Sequence, residues 1–216
     1  MAQTFLPEVG PDAPVYWIDG CRHLMQRDRV MQKLIPQHSG ASLVSRGDAF
    51  ATLARSIVGQ QISVKAAQSV WDRFARLPDK MEPAQVLKLK VDDMRAAGLS
   101  ARKVEYLVDL ALHFVNQQVH PAAWADCDDE TIIKELVAIR GVGRWTAEMF
   151  LIFYLLRPNV LPLDDVGLQK GISRCYFSGE PVSRSEIREV AGSWIPFCSV
   201  ATWYIWRSLD PLPVSY

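Results

Sequence analysis

The sequence predicts an all-α protein. Apolar residues recur at helical spacing along most of the chain, capping residues stand at the expected offsets ahead of these runs, and no stretch shows convincing strand alternation. Phe50, Leu53, Ala54, Ile57 and Val58 form one stripe, with Asp48 in front as an N-cap and Gly59 at the far end. After Ser63, a second cap, Ala67, Val70, Trp71 and Phe74 repeat the stripe until Leu77-Pro78 stops it. Gly59-Gln60-Gln61-Ile62 joins the two. Further on, Val91 to Ala97 ends at Gly98, Ser100 precedes a helix carrying Val104, Leu107, Val108, Ala111, Leu112 and Val115, and Thr131 to Ile139 ends at Arg140-Gly141. From Arg144 to Leu156 nearly every position is apolar, which predicts a central helix buried on most sides and terminated by Arg157-Pro158-Asn159. Another helix begins at Asp165, another follows the capping box Ser183-Arg184-Ser185-Glu186, and the last spans about Ser199 to Ser208. Val160-Leu161 reads as a short extended piece. The acidic run from Asp126 to Glu130 reads as a solvated first helical turn.

Composition narrows the class. The 216 residues contain 24 Lys plus Arg and 24 Asp plus Glu, so the zero net charge does not by itself announce a nucleic-acid binder. With 49% hydrophobic and 22% charged residues the chain is globular, which excludes disorder and fibre and allows one large domain or two lobes sharing a cleft. The longest apolar run, Met149 to Leu156, is far shorter than the ~20 residues of a membrane span, and no export signal is readable at the N-terminus. A soluble, intracellular, cytoplasmic protein is expected. Cys21, Cys127, Cys175 and Cys198 match neither a metal knuckle nor a disulfide framework, and His23, His38, His113 and His120 have no ligand spacing. No transition metal is expected.

The segment Leu136-Val137-Ala138-Ile139-Arg140-Gly141-Val142-Gly143-Arg144-Trp145-Thr146-Ala147 places two glycines between a helix end and a helix start. Glycines allow unusual backbone conformations and close ligand approach, and the free N–H groups opening the next helix favour an anion such as a DNA phosphate. An ordinary tight turn between helices has the same pattern.

This hairpin, at about 136–150, resembles the helix-hairpin-helix motif of the DNA glycosylase superfamily named for it and for a Gly/Pro-rich loop ending in aspartate. Pro158-Asn159-Val160-Leu161-Pro162-Leu163-Asp164-Asp165 supplies that loop. Two upstream segments, Ile57 to Ala67 and Ala96 to Lys103, extend the resemblance to the alkylpurine branch of 3-methyladenine DNA glycosylase II type, over about residues 45 to 207 of a single domain with two lobes. Lyase members carry a lysine two residues after the second hairpin glycine, where this chain has Trp145, and members resembling endonuclease III carry four clustered cysteines that are missing here. The resemblance therefore implies the short, monofunctional, cluster-free form without an N-terminal sheet domain.

It also implies roles. Asp165 takes the catalytic position and Asp164 that of a cap or loop residue, although an aspartate before a helix is most simply a cap. Trp145, Trp206 and Trp203 fall at or near aromatic pocket positions, where an electron-rich face attracts a cationic alkylated purine. Backbone contacts are expected from Gly141, Gly143, Arg144, Thr146, Ser100, Arg102 and Lys103, and the wedge that fills the flipped-out nucleotide's place from Gln60, Gln61 or Ile62, the last also read as packing between its helices. No cofactor is implied beyond a monovalent cation on hairpin carbonyls. The expected partner is double-stranded DNA bearing alkylated bases, bound by a monomer away from membranes. A non-catalytic DNA-binding module and a glycosylase for another lesion are the alternative readings.

Overall fold

The computed structural model describes residues 9–45 and 47–209, and among them every regular element is helical. In chain order they are α1 (Trp17–Arg27), α2 (Arg29–Leu34), α3 (Ala49–Gly59), α4 (Val64–Phe74), α5 (Pro83–Val86), α6 (Val91–Ala96), α7 (Ala101–Val115), α8 (Asp129–Val137), α9 (Arg144–Phe153), α10 (Val166–Tyr176), α11 (Arg184–Ala191) and α12 (Cys198–Leu209), with 3-10 segments at Ile35–His38 and Pro121–Asp126. The described residues divide into two compact units, one of residues 47–150 and one of residues 9–45 with 151–209. The division falls inside α9.

In the unit of residues 47–150 the caps expected at Asp48, Ser63 and Ser100 are made, and Asp128 adds a fourth. Asp48 accepts from Ala51 N at 2.9 Å, Ser63 from Ala66 N at 3.3 Å, Ser100 from Lys103 N at 3.2 Å and Asp128 from Thr131 N at 2.7 Å. These bonds satisfy N–H groups that a helix leaves without an internal partner. The α3 stripe is buried throughout and packs on α7 and α4. The apolar face of α7 is narrower than its sequence suggests: Val104, Leu107, Leu110 and Ala111 are inside, but Leu112 and Val115 are 40% and 47% exposed. On α4 only Phe74 is fully buried. Trp124 donates from Nε1 to Glu135 Oε1 at 2.7 Å, and His120 N donates to the same oxygen at 2.8 Å, which ties the 3-10 segment to α8.

The other unit is organised around α12, whose residues from Cys198 to Ile205 are all buried. It packs closely on α10 because residue 171 is glycine: a Cβ there would lie 2.2 Å from Ile205 Cγ2. Trp17, Cys21 and Leu24 on α1 are wholly buried, with the Trp17 ring edge-on to Trp203 at 5.3 Å. No helix is assigned to residues 1–44 by the sequence reading, yet these three side chains at i, i+4 and i+7 carry the helical signal. Asp28 joins this segment to the rest of its unit. Its Oδ1 caps α2, accepting from Val30 N at 2.8 Å and Met31 N at 3.0 Å, and its Oδ2 accepts from Tyr176 OH at 2.7 Å and Trp194 Nε1 at 2.9 Å. Burial, and the Asp28 charge after it, push the Tyr176 phenol well above its usual range.

The buried helix α9 ends at Phe153, three residues before the expected Leu156. The chain turns back there: Arg157 N reaches Leu151 O at 2.9 Å, Leu156 adopts φ +52°, and Tyr16 OH holds the Leu156 carbonyl at 2.6 Å.

Candidate active site

Asp165 is placed by the loop before α10, and that loop is fastened to α12 by its first two residues, Cys198 N donating to Asn159 Oδ1 at 3.4 Å and Ser199 making three bonds. Ser199 Oγ donates to Arg157 O at 2.5 Å and accepts from Val160 N at 2.9 Å, while Ser199 N donates to Pro158 O at 3.0 Å. These contacts cross about forty residues of chain and leave no local pattern in the sequence. Val160 accordingly spends its N–H on a serine and joins no strand. At the end of the loop Asp165 is 7% exposed, and its Oδ1 accepts from Leu168 N at 2.6 Å and from Trp206 Nε1 at 2.7 Å. The residue is therefore an N-cap and a held carboxylate at once. Asp164 points elsewhere and forms an exposed ion pair with Arg184.

Around Asp165 the structure adds a residue that sequence reasoning missed. Phe153 stacks on Trp206 with centroids 5.6 Å apart and planes inclined by 11°. The only sequence signal for it was its place in an apolar run. Val166, the first residue of α10, is exposed beside the carboxylate. Trp203 lies differently from a pocket wall: it is 5% exposed, in edge contact with Trp17 and Tyr204, with the Arg207 guanidinium 5.0 Å over its ring. Core packing accounts for it.

The hairpin lies in the unit of residues 47–150. Gly141 has φ +84°, and a Cβ there would lie 2.2 Å from Tyr106 Cδ2, so both conformation and space require glycine. Gly143 is different. It is exposed, has no positive φ, and a Cβ on it would meet no atom within 4 Å. Its lack of a side chain leaves open space and satisfies no backbone requirement. Trp145, in the next turn, is 37% exposed, whereas Thr146, expected at the DNA backbone, is buried.

Several residues expected at the DNA backbone or in the wedge have partners within the protein. Gln60 donates from Nε2 to Gly141 O at 2.8 Å, so it braces the hairpin and is not a free wedge. Lys103 donates from Nζ to Val58 O at 2.7 Å, capping the C-terminus of α3, and partial burial lowers its pKa. Arg144 is held between Glu130, which its guanidinium contacts with two nitrogens, and Glu148, 3.0 Å from Nε. Arg140 pairs with Glu105 at 3.4 Å, and its N–H donates to Asp109 Oδ2 at 2.8 Å. Ser100 uses its Oγ as a helix cap. Arg102 remains exposed on α7, and Gln61, with φ +59°, and Ile62 are exposed at the tip between α3 and α4. At 41% exposed, Ile62 is only partly covered by its own helices.

A helical protein with a glycine hairpin opening one buried helix and a buried, doubly hydrogen-bonded aspartate opening another belongs to a definite class. The model of HhH-GPD superfamily base excision DNA repair proteins matches residues 54–197, and the chain belongs to that family. Its relatives are narrower in name. DNA-3-methyladenine glycosylase 1 of Schizosaccharomyces pombe is 28% identical over 180 residues, covering 82% of this chain and 79% of its own. Among solved structures, the DNA-3-methyladenine glycosidase of Bacillus halodurans is similar with a TM-score of 0.80 and 33% identity, over 87% of each chain. The S. pombe 3-methyladenine DNA glycosylase in complex with abasic DNA has a TM-score of 0.77 and 26% identity, over 91% of this chain and all of that one.

Proposed function

We propose that this protein is a monofunctional DNA glycosylase that hydrolyses the N-glycosidic bond of alkylated purines, of the 3-methyladenine and 7-methylguanine type, in duplex DNA. The observation that carries the reading is Asp165: a buried carboxylate held by Leu168 N and Trp206 Nε1, in a chain whose family acts in base excision repair. As the bond from C1′ to the purine nitrogen breaks, positive charge develops on the sugar, and a fixed carboxylate beside it stabilises the transition state. The bonding pair leaves with the cationic purine, which departs neutral. Water supplies the new oxygen on C1′, and its spare proton passes by way of the carboxylate to solvent. The nucleotide must first leave the helix, and exposed Gln61 and Ile62 suit the space it vacates.

The protein acts as a monomer with no organic cofactor or transition metal. The monovalent cation that the resemblance puts at the hairpin would be held by backbone carbonyls. Those of Ile139 and Gly141 accept from Val142 N and Gln60 Nε2, and each oxygen keeps a second lone pair, so the residues fit such an ion.

The test is a panel of duplexes carrying single lesions, scored for free base and for strand cleavage. Release of alkylated purines with the abasic strand intact, and no borohydride-trapped adduct, is expected because residue 145 offers an indole and no amine. Binding without release would identify a non-catalytic module, and release of other bases alone a different lesion specificity. On the same panel Trp145→Ala should slow cationic lesions more than neutral ones, by the roughly 0.5 to 2 kcal/mol of a cation-aromatic contact. Equal losses would reduce Trp145 to general stacking.

The partners found for the basic residues give a second expectation. Arg102→Ala should lower the slope of log affinity against log salt by about one unit, the effect of one neutralised phosphate. Arg144→Ala should change it by clearly less, because two carboxylates already neutralise that guanidinium. Binding titrations over a range of salt decide between them, and equal slopes for the two variants would refute the distinction.

A further inference from the structure

The contact between Trp206 and Asp165 gives this indole a task apart from lining a base pocket. Its Nε1–H is directed at Asp165 Oδ1 at 2.7 Å. Phe153 fixes the plane of the ring by stacking on it at 5.6 Å. Gly167, two residues after the aspartate, brings the backbone so close that a Cβ would lie 3.0 Å from Asp165 Oδ1 and 3.1 Å from Trp206 Cδ1. Leu168 N meets the same carboxylate oxygen from the helix side at 2.6 Å. Two donors on one oxygen, one from α10 and one from α12, set both the rotamer and the plane of the carboxylate. An N–H engaged in this way is also withdrawn from reading the edge of a base, since the indole has only one donor.

We propose that Trp206 is a positioning residue for Asp165, acting through its indole N–H on the rate of bond cleavage and not on the choice of lesion. The proposal rests on the glycosylase reading above. Hydrolysis demands a carboxylate held close to its productive place, and small displacements of a reacting group are expensive in rate. Phe153 then supports catalysis at one remove, by keeping the indole plane.

Trp206→Phe keeps an aromatic ring to stack on Phe153 and removes the donor, together with part of the indole's area. Under single-turnover conditions its base-release rate should fall about 10- to 100-fold, the effect of one lost hydrogen bond to a charged group. The factor should be the same on a cationic lesion, 7-methylguanine, and a neutral one, hypoxanthine, with affinity for abasic-site DNA unchanged. A loss confined to the cationic lesion, or weaker binding at an unchanged rate, would overturn the proposal in favour of pocket lining. Gly167→Ala provides a second route that deletes no functional group: its methyl crowds the pair, and the same lesion-independent loss is expected.

A spectroscopic measurement reads the contact without activity. The Nε1–H resonance of Trp206 in a proton-nitrogen correlation spectrum should move, and its exchange with solvent quicken, in Asp165→Ala. A resonance that does not move overturns the positioning contact. A wild-type protein that releases no base from any lesion overturns the glycosylase reading, so the two failures are told apart.

Discussion

Asp165→Asn is expected to reduce base release at least about 10²- to 10³-fold, as removal of one electrostatic contact to a transition state commonly does. Affinity for abasic-site DNA should be kept or rise. The expectation is sharp because asparagine preserves what the aspartate does for the fold. Its Oδ1 still accepts from Leu168 N and Trp206 Nε1, so the N-cap of α10 and the indole contact both survive, and asparagine is as good a cap as aspartate. What disappears is the charge. Asp164→Asn is the matched control: it loosens an exposed pair with Arg184 and should leave the rate near wild type. Single-turnover kinetics with binding measured on the same preparations separates the outcomes. Wild-type turnover in Asp165→Asn would remove the residue from the mechanism, and a larger loss at residue 164 would move the assignment to its neighbour.

The second large effect is on stability and lies at Asp28. Asp28→Ala removes the acceptor for two α2 N–H groups and for the buried donors of Tyr176 and Trp194. Truncating one member of a buried network leaves its partners unsatisfied, which costs about 3 to 5 kcal/mol, or a thermal midpoint lower by roughly 10 °C in a chain of this size. Asp28→Asn, which keeps an acceptor for the cap, should lose less. Denaturation monitored by circular dichroism measures both, and a midpoint for Asp28→Ala within a degree or two of wild type would show that the network is dispensable.

The contrast between Asp165 and Asp28 shows what was legible in the sequence. Local signals were read well: the caps at Asp48, Ser63, Ser100 and Ser183 all form. The helices themselves lie where their periodicity puts them, because these are decided within a few residues, while the width of a buried face is not: Leu112 and Val115 of α7 lie outside it. Asp165 could be singled out only by a motif spread over more than a hundred residues, and its tie to Trp206 lay beyond even that, since a side-chain bond across 41 positions has no local signature. Asp28 stands in the segment left without a role, although Trp17, Cys21 and Leu24 marked a helix there. The basic residues show a different limit. Arg144 and Lys103 read as phosphate contacts when counted as charges, but whether a cation is available to a ligand depends on what faces it, here Glu130 and Glu148, and the Val58 carbonyl.

The packing of Tyr106 against Gly141 bears on how this hairpin can evolve. Two separate obstacles bar a side chain at 141: a left-handed backbone at φ +84°, and an aromatic ring 2.2 Å from where Cβ would be. Replacing Tyr106 by a small residue lifts the second and leaves the first, which still costs an L-residue about 1 to 2 kcal/mol. The epistasis between the two sites therefore runs one way. A smaller residue at 106 is compatible with glycine at 141, but no change at 106 removes the left-handed backbone at 141, so the constraint on the turn outlasts the contact that accompanies it.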